Sequence, residues 1–350
     1  MLFRSGRALW ENYSGNDKYG TTMALMLLPF WTDGCIASSE GLFFEASGTT
    51  PYHFLAAGAL SKQSSNPVRE LRYVNNDASV GVPYARALGI RYYLAVTPEA
   101  QREADKVEAD GGGLVRIATS GPWKIYEISG SDIVTGLDTE PVVVRRRGGD
   151  QRERWLEVGT SWLQNREDWP ALPADDGPKS WSRIDVAVDM ARREGEPGSD
   201  SRKVDIVAAE QPIAAVSVRP AAVSNVVLKE QSVSFDVDRT GSPVLVRVSY
   251  FPNWHASGAF GPYRVAPNMM VVVPTATHVS LSFEPSPVDR VAYFLTLIGL
   301  VIVFVSIRNG RRRRRAVAVE PSTVESGTGD DAIDDDREVE TSSSETETLP

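Results

Sequence analysis

Residues 291–307 read VAYFLTLIGLVIVFVSI, seventeen consecutive positions without a charge, entered through Asp289-Arg290 and left through Arg308. A helix crossing the bilayer core takes about 20 apolar residues, with about 17 as the lower edge, and flanking arginines extend the reach by snorkelling. The run therefore predicts a C-terminal transmembrane helix and makes the lipid bilayer the first expected partner. A core helix of a soluble protein is the competing reading, but such helices carry a polar stripe and seldom end in a row of arginines.

Working outward from the run, the charges are sorted by position. Arg308, Arg311, Arg312, Arg313, Arg314 and Arg315 form a membrane-flanking basic knot of +6. Residues 316–350 hold eleven acids against Arg337, a net −10, in a Ser- and Thr-rich stretch that predicts a disordered tail. The whole 350-residue chain carries −9, which leaves −5 for residues 1–307. By the positive-inside rule the knot puts the C-terminus in the cytoplasm and residues 1 to about 289 on the extracytoplasmic side of the cell membrane. The knot suits anionic lipid headgroups, while the tail reads as solvated chain or as bait for a cytoplasmic partner. Neither an acidic body nor an acidic tail suits nucleic acid, and none is expected as a partner. Cys35 has no second cysteine to pair with, which excludes a disulfide scaffold.

Upstream of the helix, residues 212–288 read as an antiparallel β-sandwich: short β-branched runs such as SVSFDVD (232–238), PVLVRVSYFP (243–252) and HVSLSFEP (278–285) recur about every ten residues between turn signals. In SVSFDVD, Val233, Phe235 and Val237 alternate with polar residues, so one face is buried. Residues 145–211 form an irregular layer with Trp155, Trp162, Trp169 and Trp181; spacings of seven suit one helical face until Pro170 and Pro173. These tryptophans read as packing, at the body or the membrane surface, with a sugar-stacking platform as the alternative.

Residues 32–144 read as an α/β domain. A short helix at 82–88 stops at Gly89, a strand follows at 90–96, an acidic helix PEAQREADKVEA at 98–109, and two more strands at 114–119 and 123–128. The fold class expected is thus α+β: an α/β domain, a β-sandwich, one transmembrane helix and a disordered tail. Residues 1–31 are a partly apolar N-terminal segment. Their one apolar run, TTMALMLLPFW at 21–31, is too short to span a bilayer and contains Pro29, so it reads as buried or interfacial.

The stock catalytic constellations are missing: no Gly-rich phosphate loop, no paired-cysteine or HExxH metal spacing, and His53, His255 and His278 lie far apart. No catalytic residue, metal site or cofactor is expected. The densest polar stretch, TDGCIASSEGLFFEASGTTPYHF at 32–54, offers Asp33, Glu40, Glu45 and His53. Paired carboxylates could bind sugar hydroxyls or a cation, or could simply cap turns. Tyr250-Phe251-Pro252-Asn253-Trp254-His255 is an aromatic turn that suits core packing or recognition. Glu40, Glu45 and Trp254 are the substrate-binding candidates.

Taken in order, PFWTDGCIASSEGLFFEASGTTPYHF, GIRYYLAVTPEA, GPWKIYEI, VRVSYFPNWHASG and VVVPTATHVSLSFEPSPVDRVAYFLTLIGLVIVF resemble the C-terminal part of large actinobacterial polytopic membrane proteins. These are related to the YfhO-like group within the GT-C class of lipid-linked sugar transferases. The most specific element is Y-F-P-x-W, then V-P and H-V-x-L-x-F-x-P before the last helix, and the likeness runs from about residue 20 to 307. It implies an extracytoplasmic domain that helps bind an envelope glycan or lipid-linked sugar, following an N-terminal transmembrane bundle that is missing from this chain. In GT-C enzymes the catalytic acid sits in the first outside loop, so the resemblance assigns none here. How a body without an apolar N-terminal signal is exported points the same way, to the C-terminal portion of a larger protein. The alternative is a non-enzymatic single-span anchor or interaction protein with a cytoplasmic acidic tail.

Overall fold

The computed structural model describes residues 4–41, 47–146, 149–194 and 203–317. The chain divides into two compact units, Met1–Pro285 and Ser286–Pro350. Its class is mixed α+β with antiparallel sheets and a C-terminal apolar helix.

The first third of the chain contains β1 (Gly6–Trp10), α1 (Leu28–Trp31), β2 (Ile36–Ser38), α2 (Thr50–Ala59), α3 (Ala78–Ala87), β3 (Ile90–Ala95), α4 (Pro98–Ala109), β4 (Leu114–Ser120) and β5 (Trp123–Ile128). The strands make one sheet in the order β2-β1-β3-β5-β4, parallel from β2 to β3 and antiparallel beyond. The strand, acidic helix and hairpin expected over 90–128 are present. Three features differ from the sequence reading. The helix expected at 82 begins one turn earlier, at Ala78, because the Asp77 side chain accepts from the backbone N–H groups of Ser79 and Val80. Part of the stretch read as loop is α2, which carries His53; it is buried almost all round and so lacks the polar stripe that betrays a helix. And β1, from the segment read only as partly apolar, lies between β2 and β3 inside the sheet.

The rest of the first unit contains β6 (Val134–Gly136), β7 (Val142–Val144), α5 (Gln151–Gln164), β8 (Pro173–Ala174), β9 (Arg183–Ile184), β10 (Val186–Val188), α6 (Met190–Glu194), β11 (Val207–Ala209), β12 (Val223–Lys229), β13 (Ser232–Val237), β14 (Val244–Val246), β15 (Trp254–Ser257), β16 (Ala259–Val265), β17 (Met269–Pro274) and β18 (His278–Phe283). A four-stranded antiparallel sheet, β12-β13-β18-β15, faces a seven-stranded sheet, β6-β14-β17-β16-β8-β7-β9. The second sheet recruits β8 and β9 from the tryptophan-rich stretch and β6 and β7 from ahead of it, so the sandwich draws strands from both sides of α5.

Val233, Phe235 and Val237 point inward in the alternation their sequence predicts, meeting Val244, Val246, Met270 and Val272 of the facing sheet. Burying a side chain the size of Phe235 stabilises the fold by about 2–3 kcal/mol. Trp155 and Trp162 lie on α5, and both are buried with Trp169 and Trp181 in the main core. A Cβ on Gly159 would stand 2.3 Å from the Tyr52 hydroxyl and 2.9 Å from the Pro267 carbonyl oxygen, so a residue without a side chain lets α5 close on α2.

In the second unit, α7 (Pro287–Val317) opens on a reciprocal cap. Ser286 N and Oγ donate to Asp289 Oδ2 at 2.8 and 2.7 Å, and Asp289 N donates back to Ser286 Oγ at 3.2 Å, with Pro287 in the first helical position. Within Pro287–Asn309 the most apolar stretch of eighteen residues has a mean hydropathy of 2.3, and none of that stretch is buried. Twenty-three residues rise about 35 Å, long and apolar enough to cross a membrane. Arg308 and Arg311 are exposed on this helix. Residues 312–315 continue its backbone, whereas the tail from 318 onward, expected to be disordered, lies outside the described residues.

Candidate functional site

Glu40 stands two residues beyond β2 and is fixed by a tight turn: its N–H donates to Ser38 Oγ at 3.0 Å, and the Ser38 hydroxyl donates back to the Glu40 carbonyl oxygen. From the first turns of α2, His53 brings Nε2 to 2.9 Å from Glu40 Oε1, and each side chain is only 5% exposed. The structure thus joins two residues of the polar stretch thirteen positions apart. The second carboxylate oxygen, Oε2, is buried with no hydrogen-bond partner among the described residues, and so is the neighbouring Ser39 hydroxyl. Buried polar atoms are normally satisfied, so two adjacent orphans need an explanation.

Ser39 and His53 open on a cavity of about 140 Å³, walled by Arg7, Ser47, Thr49 and Ser249 with an apolar floor of Leu88, Ile90 and Met269. Its wall is pinned by a hydroxyl network. Ser249 Oγ lies 2.8 Å from Ser47 Oγ and 2.6 Å from Thr49 Oγ1, and Asn268 Nδ2 donates to Thr49 Oγ1 and Ser249 Oγ at 3.1 Å each. Asn268 is oriented by Arg264, whose Nε donates to Asn268 Oδ1 at 2.7 Å while the guanidinium stacks on Trp155 at 4.8 Å. On the opposite side, Arg7 donates to the Leu88 carbonyl at 2.6 Å. Desolvation lowers the pKa of both Arg7 and Arg264. Drug-sized ligands occupy about 300 Å³ or more, so this cavity suits one polar substituent of a ligand rather than a whole oligosaccharide.

Among the other candidates, Glu45 lies outside the described residues. Trp254 opens β15 and is buried in the sandwich core, its ring edge-on to Phe283 at 5.5 Å; it belongs to a different cluster from the Glu40 surroundings. The exposed aromatic of that turn is Phe251. Arg7, Ser249 and Asn268 were not singled out in the sequence, where nothing ties residues some 200 positions apart to one wall.

A larger cleft of about 510 Å³ runs along α5, with Val144, Trp155 and Val158 among its apolar lining. Two of its arginines are already engaged: Arg145 with Asp185 at 2.6 Å and Arg146 with Asp175 at 2.9 Å. Glu157, also in the lining, has its pKa raised by burial and by the nearby Asp205 and Glu153, with Arg154 opposing. Among the described residues no group of three His, Cys, Asp or Glu side chains is placed to hold a metal ion. The chain matches no protein-family model, no curated protein and no solved structure.

Proposed function

We propose that this is a membrane protein of the cell envelope whose body binds the sugar portion of a glycan or lipid-linked sugar at the Glu40–His53 cavity, with α7 as its bilayer span. The observation that carries the reading is a buried orphan in the cavity lining, Ser39 Oγ, among the further hydroxyl side chains of Ser47, Thr49, Thr50 and Ser249, with Glu40, whose Oε2 also has no partner among the described residues, bonded to the lining residue His53. A carboxylate oxygen accepts from a sugar hydroxyl, and Ser39 can donate to or accept from one, so sugar hydroxyls have the chemistry to satisfy both atoms. Arg7 adds a cationic donor to the lining, and the small cavity takes one polar substituent of the sugar.

On this reading the body sits outside the cytoplasm, as the arginines after Ile307 suggest, and acts as the binding portion of a GT-C-type glycosyltransferase-like protein without a catalytic residue of its own. The test is sugar binding by the full-length protein in lipid nanodiscs, followed by saturation-transfer NMR against neutral monosaccharides and polyprenyl-phosphate sugars. Glu40→Gln is expected to weaken binding about tenfold, the loss of one charge-assisted hydrogen bond. Absence of binding to every sugar offered, or equal binding by Glu40→Gln and wild type, overturns the proposal.

A further inference from the structure

The segment between β1 and β2 is a ridge with two unlike faces. It is built of three short turns, a 3-10 turn at Ser14–Tyr19, another at Ala24–Leu27, and α1 directly after it. Its inner face packs Ala24 and Leu25 toward the sheet, where Leu25 joins Ala8, Trp10, Ile36, Tyr92 and Leu94. Its outer face leaves Leu27, Phe30 and Trp31 exposed, Phe30 to 78%. Positions 27, 30 and 31 share one helical side, so these are neighbours and not scattered hydrophobics.

The ridge is held in place. Thr32 Oγ1 donates to the Leu28 carbonyl at 2.6 Å and accepts from Ile36 N at 3.0 Å, and Gly34 N donates to the Pro29 carbonyl at 2.7 Å. Gly34, at φ +76°, allows the reversal that follows. The exposed side chains are therefore presented by a fixed backbone.

We infer that this ridge docks into the interfacial zone of the same bilayer that α7 crosses. Three observations favour lipid over a protein partner. The ridge, residues 14–31, carries only Asp17 and Lys18 and is net neutral, so its charge does not oppose an anionic bilayer surface. The exposed residues Tyr19, Leu27, Phe30 and Trp31 are the interfacial types, and Lys18 Nζ lies 5.0 Å from the Tyr19 ring centre, a cation beside amphipathic rings. And the first unit ends at Pro285 while α7 begins at Pro287, so any contact of the ridge with the bilayer that α7 crosses is effectively intramolecular. The inference rests on the membrane reading of α7.

The test keeps the two apart. In a Cys35→Ala background, full-length protein in nanodiscs is labelled with a small environment-sensitive fluorophore at Phe30→Cys, at Phe304→Cys in α7, or at Asp110→Cys on an exposed turn. Lipids bearing a nitroxide quencher are then introduced. Quenching at position 304 and about twofold quenching at position 30, with none at 110, is the expected result. Quenching at 304 but not at 30 overturns this inference alone; protection of position 30 from aqueous iodide in that case identifies a protein partner or a second copy instead. No quenching at 304 overturns the membrane reading and this inference with it.

Discussion

Glu11 and Glu40 are the same residue type, follow adjacent parallel strands of one sheet, and are buried alike at 0% and 6% exposure. Their surroundings differ. Glu11 is saturated: Oε2 accepts from the backbone N–H groups of Val96 and Thr97 at 2.8 and 2.7 Å, and Oε1 accepts from the Thr97 hydroxyl at 2.5 Å. It ties the end of β1 to the end of β3 and to Thr97, which caps α4. Glu40 has a single imidazole on one oxygen and, among the described residues, nothing on the other. A buried acid whose oxygens are engaged by backbone and hydroxyl donors is a structural fastening; one whose second oxygen meets no donor among the described residues is where the proposed ligand would bind. Burial and residue type alone do not separate the two.

The contrast can be broken at either end. Glu11→Ala strands two backbone donors and a hydroxyl in the core, and is expected to cost about 3 kcal/mol, read as a lowered urea midpoint by tryptophan fluorescence of the full chain in detergent micelles. A loss near zero would mean that the fastening contributes nothing. Glu40→Gln is expected to change stability by less than about 1 kcal/mol in either direction in the same measurement, because the wild-type carboxylate already carries an unsatisfied oxygen. A cost equal to that at Glu11 would make Glu40 structural and remove the distinction.

Glu157 is the intermediate case, a partly buried acid with neither fastening nor imidazole among the described residues. Its folded pKa lies above the reference value of 4.5, so the folded state holds the proton more tightly than the unfolded one. The resulting stabilisation is complete below the reference value and is lost as pH rises through the folded value. Glu157→Gln should therefore raise the unfolding free energy near pH 7 by a few tenths of a kcal/mol, read as a slightly higher urea midpoint, and leave both unchanged below about pH 4. An equal shift at both pH values would assign the effect to packing.

What could be read from the sequence was what local pattern encodes. The charge-free run before Arg308 is α7, and period-two alternation in SVSFDVD is the inward face of β13. The polar stretch at 32–54 contained both members of the Glu40–His53 pair. What stayed hidden depends on contacts between distant residues. β1 is five residues, GRALW, with no alternation of its own; it becomes a central strand by pairing with residues near 36 and near 90. The cavity wall needs Arg7 from β1 and Ser249 from beyond β14, brought together only when the sheets pack. Glu11 gave no signal because its partners are backbone N–H groups, which every sequence has.

The hydroxyl network at Ser249 has one further consequence. Asn268 supplies a proton to both Thr49 Oγ1 and Ser249 Oγ, and in the short contacts of Ser249 with Ser47 and Thr49 either oxygen can be the donor. Rotating the hydroxyl hydrogens reverses the polarity of the chain without displacing a heavy atom. The same wall can therefore offer protons to one guest and lone pairs to another, a rigid frame with an adjustable sense.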